Sequence, residues 1–459
     1  MKNTRYRSIG LTILTFIFLI GLGVLSFKIF VNSSNWALST FNKHVSSIGL
    51  TNCGTITDRN DIILAQSKNG KRIYNQNEGI RKALLHTVGD NSIHIATAVQ
   101  TLYRAELIGY NFVTGIKCPD LFSLKTNIKL TLDSKLCQTA HEQFGNKKGA
   151  IAIYNYKTGD ILCMVSTPTY DPNFLPDSKT INTEKYEGVY LNRVLSSSYT
   201  PGSIFKVITS ACGISNINDI DNQIYNCSKN FPINNKEITC LSNHQKLKFK
   251  DALSKSCNIY FAKMAIELGK DKMLETANSF GFNKNFKINK AFTKTSQYDV
   301  KNANDYELGW SGVGQYNDLL NPMHMLIIMG AIANDGIAVI PNMINEINYN
   351  LPFKFFNGKN KDNVKTERLM SEATAHKLKE AMRYTVKNSY GDSMFPGLNI
   401  CAKTGTAEVG ETRKPNAWMV GFSSNEETPF AFVVVVEDSG FGLKEAGPIA
   451  KTVLNKTHN

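Results

Sequence analysis

Residues Ser8–Phe27, "SIGLTILTFIFLIGLGVLSF", run for twenty positions without a charge. An α-helix of about 20 apolar residues crosses the hydrocarbon core of a bilayer. In lipid a lone segment has no other way to satisfy its backbone polar groups. Lys2, Arg5 and Arg7 stand just before the run. Basic flanks stay on the cytoplasmic side, so the chain beyond about residue 30 is expected outside the cytoplasm. A cleaved signal peptide is the alternative. Its apolar core is shorter, and no A-x-A pattern follows Phe27 here.

The remainder of the 459 residues is long enough for two or three domains, and a hydrophobic content of 42% makes most of it globular. The formal net charge of +14 favours anionic partners such as nucleic acid, phospholipid headgroups or an anionic cell wall. The ordinary reading is a lysine-rich, solvated surface, since no dense Lys/Arg block follows the first few residues. Zinc-finger spacing, basic-region heptads and RNP-like stretches are missing, so nucleic acid is not an expected partner. Nine cysteines (Cys53, Cys118, Cys137, Cys163, Cys212, Cys227, Cys240, Cys257 and Cys401) are odd in number and irregular in spacing. That excludes a disulfide-dense scaffold. Cys163 and Cys212 sit in apolar runs as small buried hydrophobes.

Signals are weak and mixed from the anchor to about residue 140, where a short non-catalytic domain (34–140) is expected between the anchor (1–33) and a catalytic domain (141–459). "KLTLDSKLCQTAHEQFG" (129–145) reads as a strand entering an amphipathic helix. "IAIYNYKTGDILCMVS" (151–166) reads as a hairpin. "SIFKVITSACG", "KDALSKSCNIYFAKMAIELG" and "NPMHMLIIMGAIANDG" are helical, the last capped by Asn321 with Pro322 in its first turn. "NAWMVGFSSNEETPFAFVVVVEDSG" gives two strands and "KEAGPIAKTVLNK" a final helix. Hairpins early and late with helices between predict an α+β fold, its antiparallel sheet closed by both ends of the catalytic domain.

Three short motifs carry chemistry. S-x-x-K occurs once, at Ser203–Lys206. Pro201 and Gly202 before it mark a helix start, where free N–H groups favour negative charge. Lys206, three residues on, shares the helix face of Ser203. A serine hydroxyl needs an adjacent base, and a desolvated lysine beside other cations can lose its proton near neutrality. Alone, this pair reads more readily as an N-terminal serine and a surface lysine. S-x-N occurs at Ser33, Ser67, Ser228, Ser256 and Ser423. Only Ser256 and Asn258 head an amphipathic helical stretch downstream of Ser203. There Ser256 could relay a proton, and Asn258 could bind a substrate amide or hold Lys206. Helix capping is the plain alternative. K-T-G occurs twice. Lys157-Thr158-Gly159 precedes Ser203 and forms the hairpin turn. Lys403-Thr404-Gly405 follows both other motifs and is followed by Thr406. Such a strand offers a cation, two hydroxyls and, at Gly405, room for a substrate backbone. The N–H groups of Thr406 and Ser203 could form an oxyanion hole. "GDSM" (391–394) and "GWSGVG" (309–314) do not fit a hydrolase block or elbow.

With these motifs in this order, residues 135 to 455 resemble the monofunctional, class B penicillin-binding proteins. "GAIAIYNYKTGDILCMVSTPTYDPN", "LNRVLSSSYTPGSIFK", "GVGQYNDLLNPMHMLIIMGAIANDG" and "PNAWMVGF" extend the likeness. "GTITDRND" (54–61) is similar to the family's R-G-x-x-x-D-R-x-G signature through Gly54, Asp58 and Arg59, and departs from it at Cys53 and Asp61. The N-terminal segment is short for the family, and Cys401-Ala402 replaces the usual small pair before K-T-G.

The resemblance implies D,D-transpeptidation of peptidoglycan stem peptides. Ser203 would attack the penultimate D-Ala with help from Lys206, and the leaving D-Ala would be protonated through Ser256 and Lys206 or Lys403. Thr404 and Thr406 would bind the terminal carboxylate, and β-lactams would acylate the same serine. A membrane glycan polymerase is the implied partner, since no glycosyltransferase domain fits in the short N-terminal segment. No cofactor is required. Water as acceptor would make the chain a D,D-carboxypeptidase. A serine β-lactamase needs an activated water, and no clear E-x-x-L-N stretch lies between Asn258 and Lys403. A non-catalytic, membrane-anchored β-lactam sensor or scaffold is the other class. Intact Ser203, Lys206 and Lys403 speak against an idle scaffold, and the lack of a cytoplasmic signalling domain against a sensor.

One cluster lies outside this scheme. Cys227, Cys240 and His244 form C-x12-C-x3-H. They could hold a structural zinc, with Cys257 or an acidic residue as a fourth ligand. The rivals are a Cys227–Cys240 disulfide and unpaired thiols.

Overall fold

The computed structural model describes residues 2–37, 50–110, 126–349, 358–359, 364–410 and 412–457. Cys118 and about a quarter of the expected non-catalytic segment, 38–49 and 111–125, lie outside them. The uncharged run forms the middle of one helix, Lys2–Ala37. Within Thr4–Ser33 an 18-residue window has a mean hydropathy of 2.4, and none of that window is buried against the rest of the protein. Apolar side chains left this exposed on a helix of this length fit a lipid surround.

The central sheet has five antiparallel strands in the order Ile400–Ala407, Asn416–Ser423, Phe430–Val436, Gly149–Asn155, Ile161–Thr167. Both ends of the predicted catalytic region meet in it. The strand "FAFVVVV" (Phe430–Val436) is apolar throughout because both its faces are buried. Pro322–Ala333 and the C-terminal helix Gly442–Asn455 pack against it. Asn321 caps the first of these helices through His324 N, with Pro322 at its start, as the sequence predicts. The first K-T-G is the turn of the hairpin between Asn155 and Ile161. Asn155 Oδ1 accepts from the N–H groups of Lys157 and Thr158 (2.9 and 3.1 Å), and Lys157 Nζ donates to Asn334.

The helix expected over "KDALSKSCNIYFAKMAIELG" breaks in two. Phe249–Ser254 ends, Ser256 takes a left-handed φ of 54°, and helix resumes over Asn258–Ser279, itself broken by a kink at Gly269 (φ 79°). Periodicity does not reveal this, because the apolar residues stay in phase on both sides of the break.

A second sheet of six strands combines Ile56–Thr57, Ile63–Lys68, Lys71–Tyr74 and Thr126–Leu130 with two strands from far downstream, Ile344–Tyr349 and Gly358–Lys359. Asp58, of the "GTITDRND" stretch, is buried beside it. Its Oδ1 accepts from Asn60 N and Ile62 N (2.8 and 2.9 Å), and its Oδ2 from Ser134 N and Oγ (3.1 and 2.7 Å). Ser134 starts the helix Ser134–Phe144, so the carboxylate also sits at the positive end of a helix dipole. Asp58→Ala would leave these donors without their acceptor. Urea unfolding of the detergent-solubilised protein should show a loss of about 2–4 kcal/mol. An unchanged midpoint would remove Asp58 from any structural role.

Candidate active site

The residue before S-x-x-K explains its local backbone. Gly202 opens a 3-10 turn, Gly202–Ile204, that feeds the helix Lys206–Asn216. Its φ is 56°, and a Cβ there would lie 2.6 Å from the carbonyl oxygen of Thr406. Only glycine lets the serine turn approach the strand this closely. The turn is anchored on the sheet. Trp418 Nε1 donates to Thr200 O (3.2 Å), and Asn321 Nδ2 donates to the carbonyls of Val194, Leu195 and Ser197. Asn321 therefore serves beyond the helix cap legible in the sequence.

Ser203 is half-buried, and Lys206 beneath it is completely buried. Lys206 Nζ lies 2.7 Å from Ser256 O, 2.7 Å from Asn258 Oδ1, 3.1 Å from Ser203 Oγ and 3.2 Å from Ser256 Oγ. The two carbonyl oxygens can only accept. A neutral amine satisfies both with its two N–H groups, and its lone pair is then left for the serine hydroxyls. Burial pushes the Lys206 ammonium down to about 8. The left-handed turn at Ser256 aims its carbonyl at this amine. Such a φ costs a non-glycine residue about 1–2 kcal/mol. Asn258 is held by a bond from its Nδ2 to Thr239 O (3.0 Å).

Lys403, also fully buried, donates from Nζ to Ser256 Oγ and to Thr404 O (both 2.9 Å). Burial, then the neighbouring Lys206, holds its ammonium well below the ordinary lysine range. Ser256 Oγ thus bridges two buried amines. Gly405 has a different reason from the one expected. A Cβ there would meet Ile204 Cγ2 and Pro201 O at 3.0 Å, so its bareness seats the serine turn rather than a substrate.

The strand Ile400–Ala407 is the edge of its sheet. Thr404 N donates to Tyr390 Oη (2.9 Å), away from the neighbouring strand. Backbone direction repeats every second residue, so Thr406 N faces the same open edge. Thr404 and Thr406 are half-buried, and Thr406 Oγ1 accepts from Gly442 N (3.2 Å). The result is an unpaired strand edge beside Ser203, with half-buried hydroxyls at Thr404 and Thr406 and two desolvated amines below. It suits a nucleophilic serine and an extended peptide added along the edge.

The structure brings Ser203, Lys206, Ser256, Asn258 and Lys403 into one hydrogen-bonded unit with Thr404 adjacent. Beside it lies the cysteine cluster. His244 Nδ1 is 3.6 Å from Cys227 Sγ and 3.5 Å from Cys240 Sγ, and Cys240 Sγ is 4.0 Å from Cys257 Sγ. The four ligand atoms lie within 4.8 Å of one another. The Cys227–Cys240 disulfide is not formed: both are thiols, with the imidazole nitrogen within contact of each sulfur. Tyr390 gave no motif signal and was missed.

The sequence matches the family model of the penicillin binding protein transpeptidase domain over residues 149–455. The chain belongs to this family. Among curated relatives, the peptidoglycan D,D-transpeptidase PbpA of Mycolicibacterium smegmatis is 27% identical over 354 residues, 70% of this chain and 69% of that one. The peptidoglycan D,D-transpeptidase FtsI of Escherichia coli is 22% identical over 342 residues, 71% of this chain and 54% of that one. The D,D-transpeptidase domain of a peptidoglycan glycosyltransferase from Eggerthella lenta superposes with a TM-score of 0.75 at 26% identity, covering 88% of this chain and 97% of that one. The penicillin G acyl-enzyme complex of penicillin-binding protein A from M. tuberculosis superposes with a TM-score of 0.74 at 24% identity, covering 89% and 100%. As a penicillin-binding transpeptidase, the chain has the α+β fold that its sequence predicts.

Proposed function

We propose that the chain is a peptidoglycan D,D-transpeptidase working through an acyl-enzyme on Ser203, and that β-lactams block it by acylating that serine. The observation that carries the assignment of roles is the Lys206 amine, 2.7 Å from two carbonyl acceptors and 3.1 Å from Ser203 Oγ, so that in its neutral form two N–H groups satisfy the carbonyls and the lone pair is left for Ser203. Ser203 Oγ attacks the carbonyl carbon of the penultimate D-Ala of a stem peptide as its proton passes to Lys206. The oxyanion rests on the N–H groups of Ser203 and Thr406. Collapse breaks the peptide bond, and the departing amine of the terminal D-Ala takes a proton from Ser256, which Lys206 or Lys403 resupplies. Thr404 and Thr406 hold the terminal carboxylate, with Lys403 nearby. An amine of a neighbouring strand then attacks the ester, returns a proton along the same path and frees Ser203.

The apolar helix supports a single-pass anchor with the catalytic part outside the cytoplasm. In this reading residues 1–33 anchor, 34–140 form a non-catalytic module and 141–459 the transpeptidase domain, which lends Ile344–Tyr349 to the module's sheet. A membrane glycan polymerase supplies the strands to be joined.

Incubation with penicillin G should add one equivalent of intact drug mass, and Ser203→Ala should abolish the adduct. Rapid hydrolysis without an adduct would mean a β-lactamase; neither outcome in folded protein would mean a binding role. The pH profile follows from Lys206. Below its titration it is an ammonium and cannot accept the serine proton. The acylation rate should therefore rise through a midpoint of about 8 and level off above it. At pH 6 it should be about 100-fold below the plateau. A flat profile from pH 6 to 9 would take the base role from Lys206.

We also infer a structural zinc at Cys227, Cys240, His244 and Cys257. The donor set is the soft N/S kind zinc takes, and the sulfur separations fit ligands at about 2.3 Å from one ion. No catalytic step uses it; bound there, it would tie the hairpin carrying Cys240 to the turn at Ser256. Protein purified without chelator should contain zinc near one equivalent. Its absence, with three titratable thiols at Cys227, Cys240 and Cys257, would leave a plain thiol cluster.

A further inference from the structure

Tyr390 lies in none of the three motifs, yet its hydroxyl touches K-T-G at two points. It accepts from Thr404 N at 2.9 Å and lies 3.0 Å from Thr404 Oγ1. Direction follows from chemistry. A phenol is the stronger acid, hence the better donor, and an alkyl hydroxyl the better acceptor. The backbone N–H already occupies one lone pair of the phenol oxygen. Tyr390 therefore donates to Thr404 Oγ1. Burial raises the phenol above its ordinary range, so this proton stays on the oxygen at neutral pH.

Thr404 is then constrained at every polar atom. Its N–H is held by Tyr390, its carbonyl accepts from Lys403 Nζ at 2.9 Å, and its hydroxyl oxygen accepts from Tyr390. One group is left to act, the Thr404 hydroxyl proton. It cannot turn back toward the phenol, so it remains available to an acceptor at the strand edge.

The tyrosine is fixed from behind. It ends a π-helical turn, Val386–Tyr390, closed by a bond from Gly391 N to Val386 O at 2.9 Å. Such turns are rare and gather at functional sites. Ser389 Oγ donates to Ser254 O at 3.0 Å and lies 2.7 Å from Ser254 Oγ. Ser254 is two residues ahead of Ser256, so the turn spans the S-x-N loop and the K-T-G strand.

We propose that Tyr390 is a positioning residue for carboxylate recognition: it orients the Thr404 hydroxyl as a fixed donor to the terminal carboxylate of the acyl donor and caps the strand edge at Thr404, leaving Thr406 N open. The substrate class selected is an acyl donor with a free carboxylate next to the scissile amide. This rests on the transpeptidase reading above.

The test compares penicillin G with its methyl ester on the full-length, detergent-solubilised protein, following acylation of Ser203 by mass. Tyr390→Phe should slow acylation by the acid about tenfold, because the Thr404 hydroxyl loses the fixed direction of its hydrogen bond to the charged carboxylate, and leave the rate with the ester unchanged. In a Thr404→Val background, Tyr390→Phe should have no further effect on the acid. Equal slowing of acid and ester would make Tyr390 merely structural and overturn the proposal, as would an unchanged acid rate. A wild-type protein that neither probe acylates would instead overturn the transpeptidase reading, and this inference with it.

Discussion

The chemistry depends on one desolvated amine. Lys206 is fully buried, and its nearest acceptors are the Ser256 carbonyl and the Asn258 amide oxygen, both at 2.7 Å. Burial penalises the ammonium form, while the two carbonyls take up the N–H groups of the neutral amine. The lone pair has nowhere to face but the two serines. Lys403, buried against the same Ser256, is itself held low by burial and then by Lys206, because two cations cannot comfortably share one dry site. Much of the surrounding architecture serves to hold this arrangement: the left-handed turn at Ser256, the side-chain bond from Asn258 to Thr239, and the glycine that lets the serine turn press against the strand.

The sheet supplies the second requirement, an unpaired edge. Strand edges are ordinarily a hazard, since they recruit other chains. Here the edge strand Ile400–Ala407 is the one that carries Lys403, Thr404 and Thr406. Tyr390 closes the slot at Thr404 and leaves the one at Thr406 facing outward. In the proposed reading, an extended peptide docks along this edge with its scissile carbonyl near Ser203 and its carboxylate near Thr404. In the same proposed reading, the apolar helix at the start of the chain anchors this site at a membrane surface.

Much of this was legible in the sequence because it rests on local chemistry. A twenty-residue uncharged run, a Pro-Gly before S-x-x-K, an Asn-Pro at a helix start and an alternating β-hairpin each have one favoured local structure. What was not legible rests on contacts between distant segments. The strand Ile344–Tyr349 gives no hint that it will pair with Thr126–Leu130. The break at Ser256 is invisible to periodicity because helical phase is kept across it. Gly405 was read as clearance for a substrate, but the clearance is for Ile204 and Pro201. Cys257 could be named only as one possible fourth member of the cysteine cluster. A tyrosine fourteen residues before Thr404 has no spacing that marks it, and only the folded turn brings its hydroxyl to the strand.

The central claim is that Lys206 is a largely deprotonatable amine near neutral pH, and its ionisation can be observed directly. Protein labelled with 13C at lysine Cε, compared with the Lys206→Met variant to assign the signal, reports that side chain through a pH titration. The expected result is one lysine whose Cε shift moves with a midpoint of about 8, separated from the surface lysines. A Lys206 signal that moves only with the others, above about pH 10, would mean that the amine keeps its proton and that some other group must accept the proton of Ser203.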